Sequence, residues 1–263
     1  MTGKVIRRTP DVTVRQPTGR RPNPVDQWIC WWSIPAFYGL FGLIFVVLTR
    51  VMPPPRPDAS VEQIVAFFQG HATTIRIGFA LLMAVIGFTG MANGLIAFQM
   101  KRMSISPVFA YAYIAALAVG AVPGCLFASF AFVTATFRPD RDPHILVLLY
   151  DLGLLSFVGS LGCFATQCTV LALAIFLDRN GIFPGWLGYM SIWMVVTEIL
   201  AGPVFVFRSG ALAWNGAISF WLGTAIFVGW EFCMIMLLRR AIRRQPAQDR
   251  FLSAESSSEP GTP

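Results

Sequence analysis

The 263-residue chain is 56% hydrophobic and only 13% charged, against roughly 25% charged in a soluble domain. With a mean hydropathy of +0.64, so few charges cannot clothe a water-facing surface, and a soluble globular protein is excluded. The net charge of +7 does not point to nucleic acid. The basic residues sit in tails and short loops beside apolar runs, and no basic, aromatic-interleaved domain is left to hold a nucleic acid.

Residues 1–27 form a basic tail with Lys4, Arg7, Arg8, Arg15, Arg20 and Arg21, and its prolines oppose a stable helix. The first apolar run, 28–49, opens on Trp28, Trp31 and Trp32, as aromatic belts do at a headgroup interface. It is too long for the apolar region of a cleavable signal peptide and reads as a signal anchor. Pro35 is expected in its first turns, where proline is tolerated. Met52-Pro53-Pro54-Pro55-Arg56-Pro57 is a stiff turn. Ser60 and Gln63 then have capping-box spacing. Val61, Ile64, Val65 and Phe68 follow as an apolar stripe, which predicts a short interfacial amphipathic helix between spans one and two.

Further spans are predicted over 75–99, 107–137, 144–177, 186–207 and 214–238, each long enough for ~30 Å of hydrocarbon. A kink is expected at Pro123-Gly124 in span three. Gly90/Gly94 and Gly120/Gly124 fit close helix packing. The fold class is therefore all-α, a six-helix transmembrane bundle over 28–238, with disordered cytoplasmic tails at 1–27 and 239–263. Of the 20 Lys and Arg, 14 fall on the side of the termini and six on the other. That split predicts a plasma (inner) membrane protein with both termini cytoplasmic.

Ionisable residues within a span are functional candidates by default. Glu198 lies about 18 Å above the start of span five and Glu231 about 10 Å above the end of span six, so the two carboxyls could share one cavity. Asn93 in span two and Gln167 in span four reach similar depth. Ser156, Ser160, Cys163 and Gln167 recur at helical spacing as one polar face. Glu198, Glu231, Gln167 and Asn93 are thus a candidate polar intramembrane cluster. The functional reading is a proton-coupled site; the alternative is two neutral glutamic acids hydrogen-bonded across helices. Arg76 and Asp151, both near the opposite face, are a candidate structural ion pair.

The negatives are as informative. Only His71 and His144 are present, too few for a di-iron or multi-haem protein. The five cysteines all fall in apolar segments and read as packing residues rather than a disulfide framework or metal site. No P-loop, H-E-x-x-H or G-x-S-x-G motif occurs. No catalytic residue, metal or cofactor is expected, and the partners expected are the lipid bilayer and other membrane proteins.

The stretch Pro184-Gly185-Trp186-Leu187-Gly188-Tyr189, followed by Gly210-Ala211-Leu212-Ala213-Trp214-Asn215-Gly216 and Phe220-Trp221, resembles a group of uncharacterised bacterial multi-span membrane proteins of unknown function. The resemblance lies mainly in spans five and six and implies a six-helix membrane fold, with no activity, cofactor or site residue. The first expectation is a non-enzymatic membrane component or accessory subunit. The alternative is a small-solute or lipid transporter using Glu198 and Glu231 as proton or substrate groups.

Overall fold

The computed structural model describes residues 24–160 and 164–258, and among these all regular structure is helical. Six helical stretches are long and apolar enough to cross a membrane, beginning with Pro24–Leu48 and ending with Ala217–Gln245. Large apolar side chains such as Leu43, Ile77, Phe127, Leu148, Trp193 and Phe232 stand exposed around the bundle. In water that surface would aggregate; in a bilayer it is the lipid-facing belt. The chain is a polytopic membrane protein.

Each span is divided along its length, spans two, three and four into two α-helices and spans one, five and six by a change of helix type. Span one is α1 (Pro24–Leu43) followed by a π-helical turn, Ile44–Leu48; span two is α2 (Val61–Val85) and α3 (Phe88–Met100). Span three is α4 (Val108–Val119) and α5 (Ala121–Phe137), and span four is α6 (Pro143–Gly159) and α7 (Phe164–Leu177). Span five is α8 (Gly185–Ile199) and a 3-10 turn, Gly202–Phe205; span six is a π-helical turn, Ala217–Leu222, leading into α9 (Gly223–Ser258). Counted from the side of the termini, with span six taken from Gln245, the divisions fall about 12 to 22 residues into the spans, or roughly 18–33 Å. They form a belt.

The buried apolar residues divide along that belt. One core, on the side of the termini, joins α1, α3, α4, α7, α8 and α9 around Trp31, Tyr113, Leu171, Leu187 and Leu238. The other joins the first π turn, α2, α5, α6 and the turns of spans five and six around Phe68, Phe132, Tyr150 and Trp214. The molecule has two storeys of short helices rather than six uninterrupted rods.

Several expectations are corrected. The segment after Ser60 is not a separate interfacial helix. The capping box forms, with Ser60 Oγ accepting from the Gln63 amide at 3.3 Å and Gln63 Oε1 accepting from the Ser60 amide at 3.0 Å. The helix it starts, however, runs unbroken to Val85. The apolar stripe faces the bundle, with Ile64 and Phe68 fully buried, so the bundle rather than the lipid interface covers it. Helix α1 begins at Pro24, which puts Pro35 in its interior rather than its first turns. Span three breaks at Gly120, ahead of Pro123-Gly124. Proline lacks an amide and is tolerated in a first turn, so the helix restarts just before it. Helix α9 does not stop at Leu238 but continues to Ser258. Ala241 and Ile242 still bury against the core, and the Arg239 guanidinium lies over the Trp31 ring, 5.7 Å from its centroid. The expected tail at 1–27 falls largely outside the described residues.

Short loops are tied down. Between spans one and two, the Trp214 indole donates to the Pro55 carbonyl and the Tyr150 hydroxyl to the Arg56 carbonyl, each at 2.8 Å. The hydrogen bond from Arg56 holds the Asp58 carboxyl below the usual carboxylate range, although an exposed pair of this kind adds little stability. On the opposite side, Asp178 accepts from the amides of Ser104 at 2.8 Å and Ile182 at 3.0 Å, joining two loops.

Glycine spacing predicted contact at two sites, and only one is close. A Cβ on Gly124 would stand 1.9 Å from Ser160 Oγ and 2.8 Å from the Ser156 carbonyl oxygen, whereas one on Gly90 or Gly94 would meet nothing within 4 Å. Gly124→Ala is therefore expected to destabilise the detergent-solubilised protein by about 1–3 kcal/mol through overpacking. Gly94→Ala should stay within about 0.5 kcal/mol of wild type. Thermal unfolding of the two variants side by side checks this.

Candidate functional site

All six spans bring polar side chains toward one region of the first storey. Tyr38 follows Trp31 and Ile34 along the buried stripe of α1, and its hydroxyl donates to Glu231 Oε1 of α9 at 2.6 Å. Asn93 of α3 accepts from Gln167 Nε2 of α7 at 2.7 Å, and its own amide donates to the Thr89 carbonyl at 2.9 Å. Tyr113 of α4, fully buried, lies beside Gln167 and within electrostatic range of Glu231 and Cys168. Cys168 of α7 lies within range of both Glu231 and Glu198.

Glu198 completes the set from α8. It is only 5% exposed, and among the described residues its Oε2 has no hydrogen-bond partner. Its helix ends one residue later, at Ile199, where the Leu200 amide is shared among the carbonyls of Val196, Thr197 and Glu198. The carboxyl thus sits at the negative end of a helix dipole, in the bundle interior. Nearby, the Trp230 indole donates to Ser191 Oγ at 3.0 Å, binding α9 to α8.

The constellation contains no base of permanent charge. Helices α1, α3, α4, α7 and α8 carry no Lys, Arg or His, and neither does α9 before Arg239. Among the described residues no basic group is in electrostatic range of Glu198 or Glu231. Nor is there a group of three or more His, Cys, Asp or Glu able to hold a metal ion.

Comparison of the chain with protein families, with curated proteins and with solved structures finds no match.

Of the four residues expected to form the polar cluster, Asn93 and Gln167 bond each other directly, and Glu198 and Glu231 both lie within electrostatic range of Cys168. The sequence did not single out Tyr38 or Tyr113, or Cys168 as more than a packing residue. Tyr38 stands 14 residues into α1, deeper than the headgroup level where tyrosine normally sits, whereas Tyr113, five residues into α4, lies at a depth that gives no such signal. Ser156 and Ser160 do not belong. They lie on α6, with Gly124, Gly159 and Phe205, along a groove of about 470 Å³. Gln167 is on α7, a separate helix, so the spacing that linked them does not carry across. Cys163 lies outside the described residues.

Arg76 and Asp151 do not pair. Among the described residues the ion pair formed is Arg56–Asp58. The Arg76 Nε bonds the Ala72 carbonyl of its own helix at 3.2 Å, and Asp151 lies within range of Arg208 instead. Each follows a fully buried residue, Ile75 or Tyr150, and one residue on a helix turns about 100°. Both therefore point away from the shared core of α2 and α6. His71 turns its Nδ1 to the Phe67 carbonyl, 3.0 Å away on its own helix.

The Asn93–Gln167 bond is testable by a double-mutant cycle. With Asn93→Ala, Gln167→Ala and the double variant, a coupling of about 0.6–2 kcal/mol is expected from unfolding midpoints, the range for interhelical hydrogen bonds in membranes. Strict additivity would mean that the two amides do not interact.

Proposed function

We propose that this protein is a non-enzymatic small-solute transporter of the plasma membrane, with both termini cytoplasmic and with Glu198 and Glu231 as its proton or substrate groups. One observation carries the reading. A carboxyl with an unpartnered oxygen is buried deep within a span, in a centre to which every span contributes. A buried polar group left without a partner is destabilising by about 1–3 kcal/mol. The bundle gains no packing from Glu198 that an apolar residue would not give better. Function is the reason to keep it.

The interrupted spans support the same reading. Transporters commonly build their sites where helices break at mid-membrane, because freed backbone groups and half-helix ends can then face a solute. The orientation rests on the split of Lys and Arg between the two sides.

A second reading, an accessory subunit, draws on α9. Past the buried Gln245 it continues as a helix to Ser258, about 20 Å of helix on which another protein can dock.

Proteoliposomes loaded with a pH-sensitive dye separate the two. Addition of a panel comprising an amine, an amino acid, a sugar and a carboxylate should produce proton movement with at least one member. Glu198→Gln should abolish it while leaving the unfolding midpoint within a few degrees of wild type. Absence of solute-linked proton movement, together with stoichiometric copurification of a second membrane protein from native membranes, would establish the subunit reading instead.

A further inference from the structure

We propose that the polar centre between α8 and α9 is a binding site for a lipophilic organic monocation, which enters by displacing a proton from the Glu198–Glu231 pair. The inference rests on the transport reading for its physiological sense, but the binding chemistry stands on its own observations.

The first is charge. The ionisable groups facing the centre are Glu198, Glu231, Tyr38, Tyr113 and Cys168, contributed by α8, α9, α1, α4 and α7. The polar groups beside them, Asn93 and Gln167, are neutral amides. None of the six helices supplies a cation at this depth. An anionic solute would meet two carboxyls and no counter-charge in a medium of low dielectric, where like charges repel most strongly.

The second is the unpartnered Oε2 of Glu198, on a residue only 5% exposed. It lies one residue from the carbonyl end of α8. Half-helix C-termini at mid-membrane are where transporters hold cations, because the partial negative charge of the last carbonyls adds to that of the acid.

The third is the lining, which selects an organic cation over a metal ion. Hard metal ions require about six oxygen ligands. The centre offers two carboxyls, with a run of aromatic rings beginning at the tyrosine bonded to Glu231: Tyr38 packs against Phe227 with ring centroids 6.1 Å apart, and Phe227 against Phe164 at 6.2 Å. Aromatic faces attract quaternary and protonated ammonium groups, especially where water is excluded. The Tyr38 hydroxyl now donates to Glu231. The exchangeable proton is that of the Glu198 carboxyl: an incoming cation lies against Glu198 as its proton departs to water, while Tyr38 keeps its bond to Glu231, so one positive charge replaces another and the net charge of the centre is unchanged.

The test uses two probes of matched size and opposite charge, tetraphenylphosphonium and tetraphenylborate, titrated into the detergent-solubilised full chain by calorimetry. Repetition in buffers of different ionisation enthalpy counts the protons released. Tetraphenylphosphonium should bind with release of about one proton, and Glu198→Gln should weaken it at least tenfold and remove the proton release. Glu198→Asp should restore both in part, and tetraphenylborate should bind no more tightly to wild type than to Glu198→Gln. Equal binding of both ions to wild type would overturn the site, and that comparison needs no variant to fold. Phosphonium binding indifferent to Glu198→Gln and Glu231→Gln would overturn it as well. Uptake of a neutral or anionic solute that depends on Glu198 would leave transport standing and remove the cation site. Phosphonium-linked proton release without uptake of any solute would do the reverse.

Discussion

Hydrocarbon offers no hydrogen bonds, so a chain crossing it must satisfy its backbone internally. An unbroken helix does so residue by residue. Here every span is divided part-way across, three of them by a change of helix type, and the groups released there need partners from neighbouring spans. Ser219 shows how this is met: its hydroxyl lies 2.9 Å from the Leu200 carbonyl and 3.1 Å from that of Leu212, across a break. At Gly78, which can carry no Cβ without meeting the Thr49 amide at 2.9 Å, close backbone approach lets α2 cover the π turn of span one. The division into two storeys and the gathering of polar side chains beside the division are both consequences of these breaks.

Glu198 occupies the least comfortable place in that arrangement. Its neighbours along α8, Met194 and Thr197, are buried, so rotation of the helix cannot bring the carboxyl to lipid headgroups or water. The exposed residues of α8, Trp193 and Ile199 among them, face outward instead. Glu231 differs: its carboxyl has the Tyr38 hydroxyl. Two acids, one bonded to a tyrosine and one with a carboxyl oxygen that no described residue partners, both within electrostatic range of Cys168, form an asymmetric pair. That asymmetry suits a site which exchanges one positive charge at a time.

Much of this was legible from residue order. Six runs of apolar residues locate the spans, because length and hydropathy alone decide whether a segment can cross. Ser60 and Gln63 announce the start of α2, because a capping box is a local interaction. Depth, counted along each span, put Asn93 near the level of Glu231 and Gln167 near that of Glu198, all four in the half of the membrane nearer the termini. Direction around the helix axis was not legible at Arg76 and Asp151, where depth agreed and azimuth did not. The breaks were also hidden. Hydropathy is blind to whether a helix stays α-helical, and neither Ile86-Gly87 nor the π turns carry a proline. Tyr38 and Tyr113 were overlooked because tyrosine is expected at the interface, and only the packing shows that both stand beside an acid.

Site and transport alike require the six spans to meet in one polar centre. Disulfide trapping in native membranes tests this most directly. In a background with the native cysteines replaced, the pairs Tyr38→Cys with Glu231→Cys and Asn93→Cys with Gln167→Cys should cross-link rapidly, and Arg76→Cys with Asp151→Cys should not. Cross-linking of the Arg76–Asp151 pair with neither of the others would show that the spans are rotated differently and that the centre does not exist.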